Sequence, residues 1–177
     1  MLQLIYAPNP IFRKKALPVE KVDNEICQLI DQMFELLAIE HGIGLGANMV
    51  GILKRIIVVK MYQDDVLHRY AMINPTITNA SEELHTAEEA SLSFPGIAAM
   101  VTRPRQITVE YLDEKGVKQS VEATDLLATV IQHEIDYLDG KIFLDYLSKM
   151  KQDMLLKKMK KHLKQFPPHV HGPHCSH

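Results

Sequence analysis

The stretch Gln132-His133-Glu134-Ile135-Asp136-Tyr137-Leu138-Asp139-Gly140 decides how the rest of the chain is interpreted. Residues four positions apart share one face of a helix, so His133 and Tyr137 should point the same way with Glu134 beside them. Two histidines at this spacing, with glutamate after the first, are typical of a site that binds zinc or a similar metal. Because Tyr137 replaces the second histidine, the stretch is either a working metal site or the remains of one.

Three helices are predicted from the helical spacing of apolar residues and from helix end signals. Each predicted helix has a polar capping residue at its start, or a glycine or polar residue at its end, as helices in soluble proteins commonly do. The helices are expected from a cap at Asp23 or Asn24 to about His41, from Thr124 or Asp125 to Gly140, and from about Leu147 to Gln165.

Short β-branched or alternating segments predict strands between the first two helices. Residues 56–61 are typical of a buried strand, and residues 106–112 and 117–123 alternate on either side of a turn, which predicts a hairpin. Antiparallel hairpins combined with helices predict an α+β fold. The remaining expectations are a strand at 68–73 that ends at Asn74-Pro75, an edge strand or loop at 77–89, and a turn at Pro95-Gly96.

The bulk properties indicate one soluble domain. The chain has 177 residues, of which 46% are apolar and 24% are charged, so it is long enough to bury a real core. We expect a single domain over residues 1–165 and a flexible tail over residues 166–177. The net charge of −2 argues against a protein that is built to bind DNA.

The expected cellular location of the protein and the expected state of its cysteines follow from features that the sequence lacks. No apolar run is long enough to span a bilayer and no secretory segment precedes the fold, so we expect no membrane partner and a cytoplasmic location. The two cysteines, Cys27 and Cys175, are expected to form no disulfide. Cys27 adjoins an apolar stripe, which predicts a small buried thiol rather than a reactive one.

Four glycines lie within Gly42-Ile43-Gly44-Leu45-Gly46-Ala47-Asn48-Met49-Val50-Gly51. They indicate a backbone that turns tightly or lets another molecule approach closely. A phosphate loop would end in lysine followed by serine or threonine, and a dinucleotide fingerprint would follow a strand. The segment has neither property, so both interpretations are weak.

Three segments in this order carry a family resemblance: residues 42–51, Glu89-Ala90-Ser91-Leu92-Ser93-Phe94-Pro95-Gly96 and residues 132–140. Together they resemble the three motifs of the peptide deformylases, and the similarity covers roughly residues 2–148. The resemblance implies the peptide-deformylase fold, with mixed and antiparallel sheets around a central helix that carries the metal motif. Further positions that fit are Ile11-Phe12-Arg13, Lys54-Arg55, Ile73-Asn74-Pro75, Arg103 and Phe143-Leu144.

The resemblance also implies a reaction, the hydrolysis of the formyl group from the N-formylmethionine of nascent polypeptides. In the family, one cysteine and two histidines hold a divalent metal, which is iron in cells and often zinc or nickel in preparations. The glutamate of the third motif moves protons. The glutamine of the first motif and the backbone N–H of the leucine in the second stabilise the oxyanion.

Three of these functional positions are changed in this chain. The metal-binding cysteine corresponds to Ser91, the second histidine to Tyr137 and the oxyanion glutamine to Met49. The positions that match the family are His133 as a metal ligand, Glu134 as the catalytic acid–base and the backbone of Leu92.

The three changes affect the same chemical step. A serine hydroxyl keeps its proton and ligates weakly where a thiolate would bind well, and a tyrosine has an ordinary pKa of about 10. A bound metal lowers the pKa of water from 15.7 to about 7, so a lost metal leaves the water inactive. Losing one oxyanion donor, as Met49 implies, costs roughly a hundred- to a thousand-fold in rate.

We therefore expect a peptide-deformylase-like pseudoenzyme, with deformylation lost or strongly impaired and the divalent metal absent or weakly bound. It is expected to retain binding of N-terminal formyl-methionyl peptides or of the ribosome. The alternative is an active metallohydrolase, either a deformylase or an amidase of altered substrate. Its metal site would be formed by His133, Tyr137 and Ser91, an oxygen-rich set beside Glu134.

Each altered position also has a purely structural interpretation. Tyr137 would fill the space of the metal and form a hydrogen bond with Glu134 or His133. His133 would then be a hydrogen-bonded core histidine, Met49 a flexible packing residue and Ser91 a small polar filler.

The resemblance places a substrate pocket beside the central helix. The pocket residues on the helix share helical spacing, and a role in core packing is an equal alternative for them. The pocket residues in the loop belong to the glycine-rich backbone that would pair with the peptide. The pocket residues are Leu126, Thr129 and Val130 on the helix, and Ile43, Gly44, Leu45 and Gly46 in the loop.

The last predicted helix is basic. Leu147, Met150, Met154, Leu155, Met159 and Leu163 form its expected apolar stripe, and seven lysines surround that stripe. A solvated helix packed on the domain is one interpretation. Binding to ribosomal RNA phosphates is the other, because the family docks a C-terminal helix on the ribosome.

The tail offers donors for a metal ion. Adventitious binding of a transition metal is favoured over a structural site, and the tail could also be an expression scar. Its candidate ligands are His169, His171, His174, Cys175 and His177.

Overall fold

The computed structural model describes residues 1–168, and within them the chain alternates between long antiparallel strands and three α-helices. The helices are α1 (Asn24–Ile39), α2 (Asp125–Leu138) and α3 (Lys149–Gln165). The strands are β1 (Gly44–Gly46), β2 (Ile56–Gln63), β3 (Val66–Ala80), β4 (Leu84–Ser91), β5 (Phe94–Pro104), β6 (Gln106–Leu112) and β7 (Lys118–Thr124). Short 3-10 turns lie at Pro10–Arg13, Ala47–Val50 and Phe143–Tyr146.

The strands form two sheets, which confirms the predicted α+β class. A five-stranded sheet has the order β1-β2-β3-β6-β7, and β4 pairs with β5 in a separate two-stranded sheet. All of these pairings are antiparallel. The predicted hairpin is confirmed as β6 and β7, whose register runs from Leu112 opposite Lys118 to Gln106 opposite Thr124.

Strand β2 separates two apolar cores. Successive side chains of a strand point to opposite faces, so Ile56 and Val58 pack with α1 while Ile57 and Val59 pack with α2. Both faces are buried, as the β-branched run predicts. Eleven of the fourteen residues of α2 are buried, which makes this helix the centre of the structure.

Helix α1 begins as predicted and ends slightly early. The side chain of Asp23 accepts a hydrogen bond from the Ile26 N–H at 3.0 Å, so Asp23 is the N-cap. The helix ends at Ile39, and His41 takes a positive φ of 53°. Cys27 on this helix is half-buried rather than buried, and its thiol donates to the Glu114 carbonyl at 3.4 Å.

A residue of β2 caps helix α2. The Thr124 side chain makes no capping hydrogen bond. Instead, Gln63 accepts from the Leu127 N–H at 3.0 Å and donates to the Thr124 carbonyl at 3.3 Å. Beyond the helix, Gly140 takes a φ of 74°, and a Cβ there would lie 2.8 Å from the Arg13 carbonyl oxygen. Glycine is therefore required at this turn.

One predicted strand end and one predicted turn are wrong. Strand β3 continues through Asn74-Pro75, where its register against β6 shifts and Asn74 takes a φ of 52°. The Asn74 amide holds this bend by donating to the Val19 carbonyl and accepting from its N–H, each at 2.8 Å. Pro95-Gly96 lies within β5 rather than in a turn, and the uncertain segment 77–89 forms the end of β3 and most of β4.

Helix α3 buries most of the predicted stripe, including Leu147 just before the helix, but two of the predicted residues are exposed and Leu156 joins the buried side. Met159 is fully buried, and Leu155, Leu156 and Leu163 pack against the core. Met150 and Met154, which we expected in the stripe, are 71% and 60% exposed. The apolar face is therefore rotated toward Leu156.

The tail ligands predicted at His169, His171, His174, Cys175 and His177 lie outside the described residues. Within residues 1–168, no helix has both the length and the apolar character that a membrane crossing requires.

We expect Gln63→Ala to destabilise the protein by about 1 kcal/mol, because α2 loses its only side-chain cap among the described residues. Urea unfolding of the variant and the parent measures the change. Gln28→Ala, which removes an exposed amide from α1, is the matched control and should stay within about 0.5 kcal/mol. Equal losses in the two variants would contradict a capping role for Gln63.

Candidate functional site

A cavity of about 600 Å³ opens between β1, the β4–β5 turn and α2. It brings together ten of the residues that the sequence singled out, and Glu89 and Tyr6 also line it. The ten are Ile43, Gly44, Met49, Ser91, Leu92, Leu126, Thr129, Val130, His133 and Glu134. Tyr137, Leu45 and Gly46 are not part of its lining, and Tyr137 and Leu45 are fully buried.

His133 is held by a buried ion pair. Its Nδ1 lies 2.8 Å from Oε1 of Glu89, and both Glu89 oxygens contact Arg103, at 2.7 and 2.9 Å. Burial raises the pKa of Glu89, but the hydrogen bonds from Arg103 and His133 outweigh it and hold this pKa below its ordinary value. Because the ionised carboxylate only accepts, Nδ1 of His133 donates and Nε2 is left for the cavity.

Arg103 continues the network below the cavity. Its Nη1 donates to Asp136 at 2.7 Å and to the Tyr146 hydroxyl at 2.9 Å. The Tyr146 hydroxyl in turn donates to Asp136 at 2.6 Å. The sequence alone indicated no role for Glu89, Asp136 or Tyr146. The sequence did contain a signal for Asp136, because this residue lies three positions after His133 and therefore on the same side of the helix.

Tyr137 forms a hydrogen bond with Ser91, and the predicted partners Glu134 and His133 are wrong. Its hydroxyl donates to Ser91 Oγ at 2.8 Å, while its ring packs edge-on against Phe12 with centroids 5.7 Å apart. Burial raises the pKa of Tyr137 well above its ordinary value, and the Ser91 hydrogen bond only partly opposes this. The side chain is therefore a neutral phenol.

The donor set does not fit a catalytic divalent metal. The proton of Tyr137 is committed to Ser91, and Ser91 Oγ also accepts from the Ser93 N–H at 3.3 Å. His133 offers one imidazole nitrogen. Among residues 1–168, no group of three or more His, Cys, Asp or Glu side chains is arranged to hold a metal ion. One imidazole nitrogen and two hydroxyl oxygens are weak ligands for iron, zinc or nickel.

Met49 turns toward its own loop. It is buried, and the Gly46 N–H points at its sulfur at 3.4 Å. A thioether has no proton to donate. The side chain therefore lines the cavity without offering a hydrogen bond to a substrate oxygen.

Glu134 is the second buried carboxyl of the site, beside Glu89. Its Oε2 has no hydrogen-bond partner among the described residues. Burial raises the pKa of Glu134 to about 7, and the nearby Glu89 charge adds to the increase while His133 opposes it. Gly44 lies directly over this group, since a Cβ there would be 2.8 Å from Oε1. A side chain at position 44 would therefore close this part of the cavity.

Comparison with known proteins relates the sequence to one family. The family model described as Polypeptide deformylase matches residues 1–153. A protein of Rickettsia conorii named "Peptide deformylase-like" is 55% identical over 175 residues, which are 99% of this chain and 96% of that protein. The peptide deformylase of Rhizobium meliloti is 43% identical over 159 residues, which are 89% of this chain and 91% of that protein.

Solved structures are similar in fold as well as in sequence. The peptide deformylase of Ehrlichia chaffeensis superposes with a TM-score of 0.90 at 36% identity, covering 93% of this chain and 98% of that one. Its complex with actinonin gives a TM-score of 0.87 at 36% identity and covers 95% and 99% of the two chains. The predicted peptide-deformylase fold is confirmed.

We expect Glu134→Gln to stabilise the protein at pH 8 by up to about 3 kcal/mol and to change little near pH 4.5. Folding raises the pKa of Glu134 from 4.5 to about 7, so the folded protein holds an extra proton between these values. The free energy of unfolding of the parent should therefore fall as the pH rises through this window.

Urea unfolding from pH 4.5 to 8 measures the difference between the variant and the parent. Glu110→Gln removes an exposed carboxylate from β6 and is the matched control. Parallel stability profiles for the parent and Glu134→Gln would show that this carboxyl is not desolvated.

Proposed function

We propose that this chain, which belongs to the polypeptide deformylase family, binds N-terminal formyl-methionyl peptides but does not hydrolyse them at enzymatic rates. The family acts on such N-termini of nascent polypeptides. The observation that carries the proposal is the hydrogen bond from the buried, neutral Tyr137 to Ser91, beside a cavity that stays open.

Loss of hydrolysis is supported by the chemistry of the described side chains. The residues at the metal position do not fit the ion, and Met49 has no proton to stabilise an oxyanion. Glu134 could take a proton from water, but a carboxylate alone is a weak base for that task. The alternative of a metallohydrolase built on His133, Tyr137 and Ser91 is not favoured, because Tyr137 has a raised pKa and keeps its proton.

Retention of peptide binding is supported by the shape of the site. Among residues 1–168, strand β1 is an edge strand that pairs with β2 alone, and Ile43 and Gly44 line the cavity. An edge strand offers free backbone groups to an extended peptide. Leu126, Thr129 and Val130 form one wall of the cavity, where a methionine side chain would bury its apolar surface.

We propose the ribosome as a further partner and the cytoplasm as the location. Seven lysines of α3 are exposed, whereas the apolar side of the helix packs on the core. The lysines are Lys149, Lys151, Lys157, Lys158, Lys160, Lys161 and Lys164. Clustered lysines contact nucleic-acid phosphates without reading sequence.

We expect a formyl-Met-Ala-Ser peptide to bind the full chain with the same affinity in the presence and absence of a chelator. Leu126→Trp should weaken binding at least tenfold, because Leu126 is 41% exposed at the cavity wall and a larger ring would fill it. Val117→Trp, at an exposed position outside the cavity lining, is the control. Calorimetry measures the affinities, and equal affinities for the two variants would contradict binding in this cavity.

Hydrolysis is tested by formate release with added iron, nickel, cobalt or zinc. We expect rates far below the roughly 1–1,000 s⁻¹ of ordinary enzymes. The combined substitution of Met49→Gln, Ser91→Cys and Tyr137→His should bind one metal ion per site and release formate faster than the parent. Ordinary turnover by the parent would overturn the proposed loss of activity.

Ribosome docking predicts a charge-dependent association. A triple substitution to Glu at Lys157, Lys158 and Lys161 should weaken co-sedimentation with ribosomes roughly tenfold or more, because up to three phosphate contacts are lost. The same change at Lys14, Lys15 and Lys118, which are exposed elsewhere, alters the net charge equally and is the control. Binding that is insensitive to salt, or equally weakened in both variants, would contradict the role of α3.

A further inference from the structure

We propose that the Ser91 hydroxyl donates a hydrogen bond to the formyl oxygen of the bound peptide and thereby contributes selectivity for a formylated N-terminus. The inference rests on the proposed function, because it names the side chain that recognises the formyl group in the same cavity. The observation that carries it is the set of hydrogen bonds at one atom, Oγ of Ser91.

Both acceptor positions of the Ser91 hydroxyl are occupied. Its Oγ accepts from the Tyr137 hydroxyl at 2.8 Å and from the Ser93 N–H at 3.3 Å. A serine hydroxyl has two acceptor lone pairs and one proton to donate. Among residues 1–168, this oxygen takes part in hydrogen bonds only as an acceptor. The proton is therefore the group of this side chain that remains for a ligand.

The two donors reach Ser91 from outside the cavity. Tyr137 and Ser93 are fully buried and neither lines the cavity, whereas Ser91 does. Because the groups around a hydroxyl oxygen spread in different directions, two hydrogen bonds from the protein side leave the O–H to point toward the cavity. The hydrogen bond from Tyr137 also makes this hydroxyl a stronger donor, since hydrogen bonds in a chain polarise one another.

An acceptor lies in the same cavity. Because Nδ1 of His133 donates to the ionised Glu89, its Nε2 carries a lone pair and no proton. Ser91 and His133 thus offer a ligand one donor and one acceptor. A formamide carries the matching pair, a carbonyl oxygen that accepts and an N–H that donates. A free α-ammonium carries donors alone, so it would leave the Ser91 proton unpaired, which costs free energy once the peptide has displaced water.

Helix α2 places these two groups beside the position of the formyl group. Thr129 and Val130, on the wall proposed for the methionine side chain, lie about one helical turn before His133, or roughly 5 Å along the helix. Tyr137, which holds Ser91, lies one turn further along. A formyl group on the nitrogen of the bound methionine therefore lies at the turn that His133 and Ser91 border.

The charge of the cavity acts in the opposite direction. Glu40 and Glu88 also line it, and carboxylates attract a free α-ammonium. The contribution of Ser91 is therefore a difference in selectivity, which is measured by removing the hydroxyl and the formyl group separately and together.

Calorimetry with formyl-Met-Ala-Ser and with Met-Ala-Ser, on the full chain and on its Ser91→Ala variant, completes this cycle. We expect Ser91→Ala to weaken binding of the formyl peptide roughly fivefold, as the loss of one neutral hydrogen bond implies. Binding of Met-Ala-Ser should stay within about twofold, because its ammonium accepts no hydrogen bond. Ser120→Ala, which removes an exposed hydroxyl from β7, is the matched control. Equal effects of Ser91→Ala on the two peptides would overturn the inference.

Tyr137→Phe separates donation to the ligand from support of the cavity wall. It breaks the same hydrogen bond between Tyr137 and Ser91 but keeps the Ser91 proton. We expect this variant to keep most of the selectivity for the formyl peptide. The same loss of selectivity in Tyr137→Phe and Ser91→Ala would assign the bond a structural role and overturn the inference. Urea unfolding verifies that each variant is folded before its affinities are compared.

Infrared spectroscopy of a peptide with an isotope-labelled formyl carbon observes the contact itself. A hydrogen bond to a carbonyl oxygen lowers the stretching frequency of the carbonyl. The band of the bound peptide should therefore lie at a lower frequency in the parent and in Tyr137→Phe than in Ser91→Ala. An identical band position in the parent and in Ser91→Ala would exclude donation by Ser91.

Failure of the two proposals can be told apart. If the parent does not bind formyl-Met-Ala-Ser, the proposed function is refuted and the role of Ser91 falls with it. If the parent binds this peptide and Ser91→Ala leaves the selectivity unchanged, the proposed function stands and the role of Ser91 alone is refuted.

Discussion

A buried ion pair between Glu89 and Arg103 is the interaction on which the site depends. Both side chains are 3% exposed, and removing one partner of such a pair typically costs about 3–5 kcal/mol because the other charge is left uncompensated. The pair joins β4 to β5 and reaches His133 and Asp136 on α2 and Tyr146 beyond it. The two-stranded sheet and the central helix are therefore fixed relative to each other by charge as well as by packing.

This arrangement explains how a deformylase scaffold keeps its shape with altered donors. The orientation of His133 depends on Glu89 and Arg103, which the metal position does not include. Tyr137 fills the space beside Ser91 with a ring and satisfies its hydroxyl there. Structure and chemistry are separable here, because the groups that hold the cavity walls differ from those that would bind an ion.

The sequence predicted the elements well and the contacts between distant residues poorly. Asp23 was found as a cap because capping is local, whereas the cap of α2 comes from Gln63, sixty-four positions from its partner Leu127. Strand β3 passes through Asn74-Pro75 because Asn74 pairs with Val19, a contact that no local pattern encodes. Likewise, spacing placed Tyr137 beside His133, but the partner of its hydroxyl depended on how β4 meets α2.

The packing of Tyr137 has a consequence for any substitution at this position. Its ring contacts Phe12 and Phe94, and its hydroxyl is the donor to Ser91. A return to histidine alone would leave a void between these rings and would still lack a thiolate at position 91. The change from Tyr137 to histidine alone is therefore expected to lower the stability of the fold. The residue at position 137 is thus coupled to the aromatic rings around it, and a smaller side chain there would need a compensating change in Phe12 or Phe94.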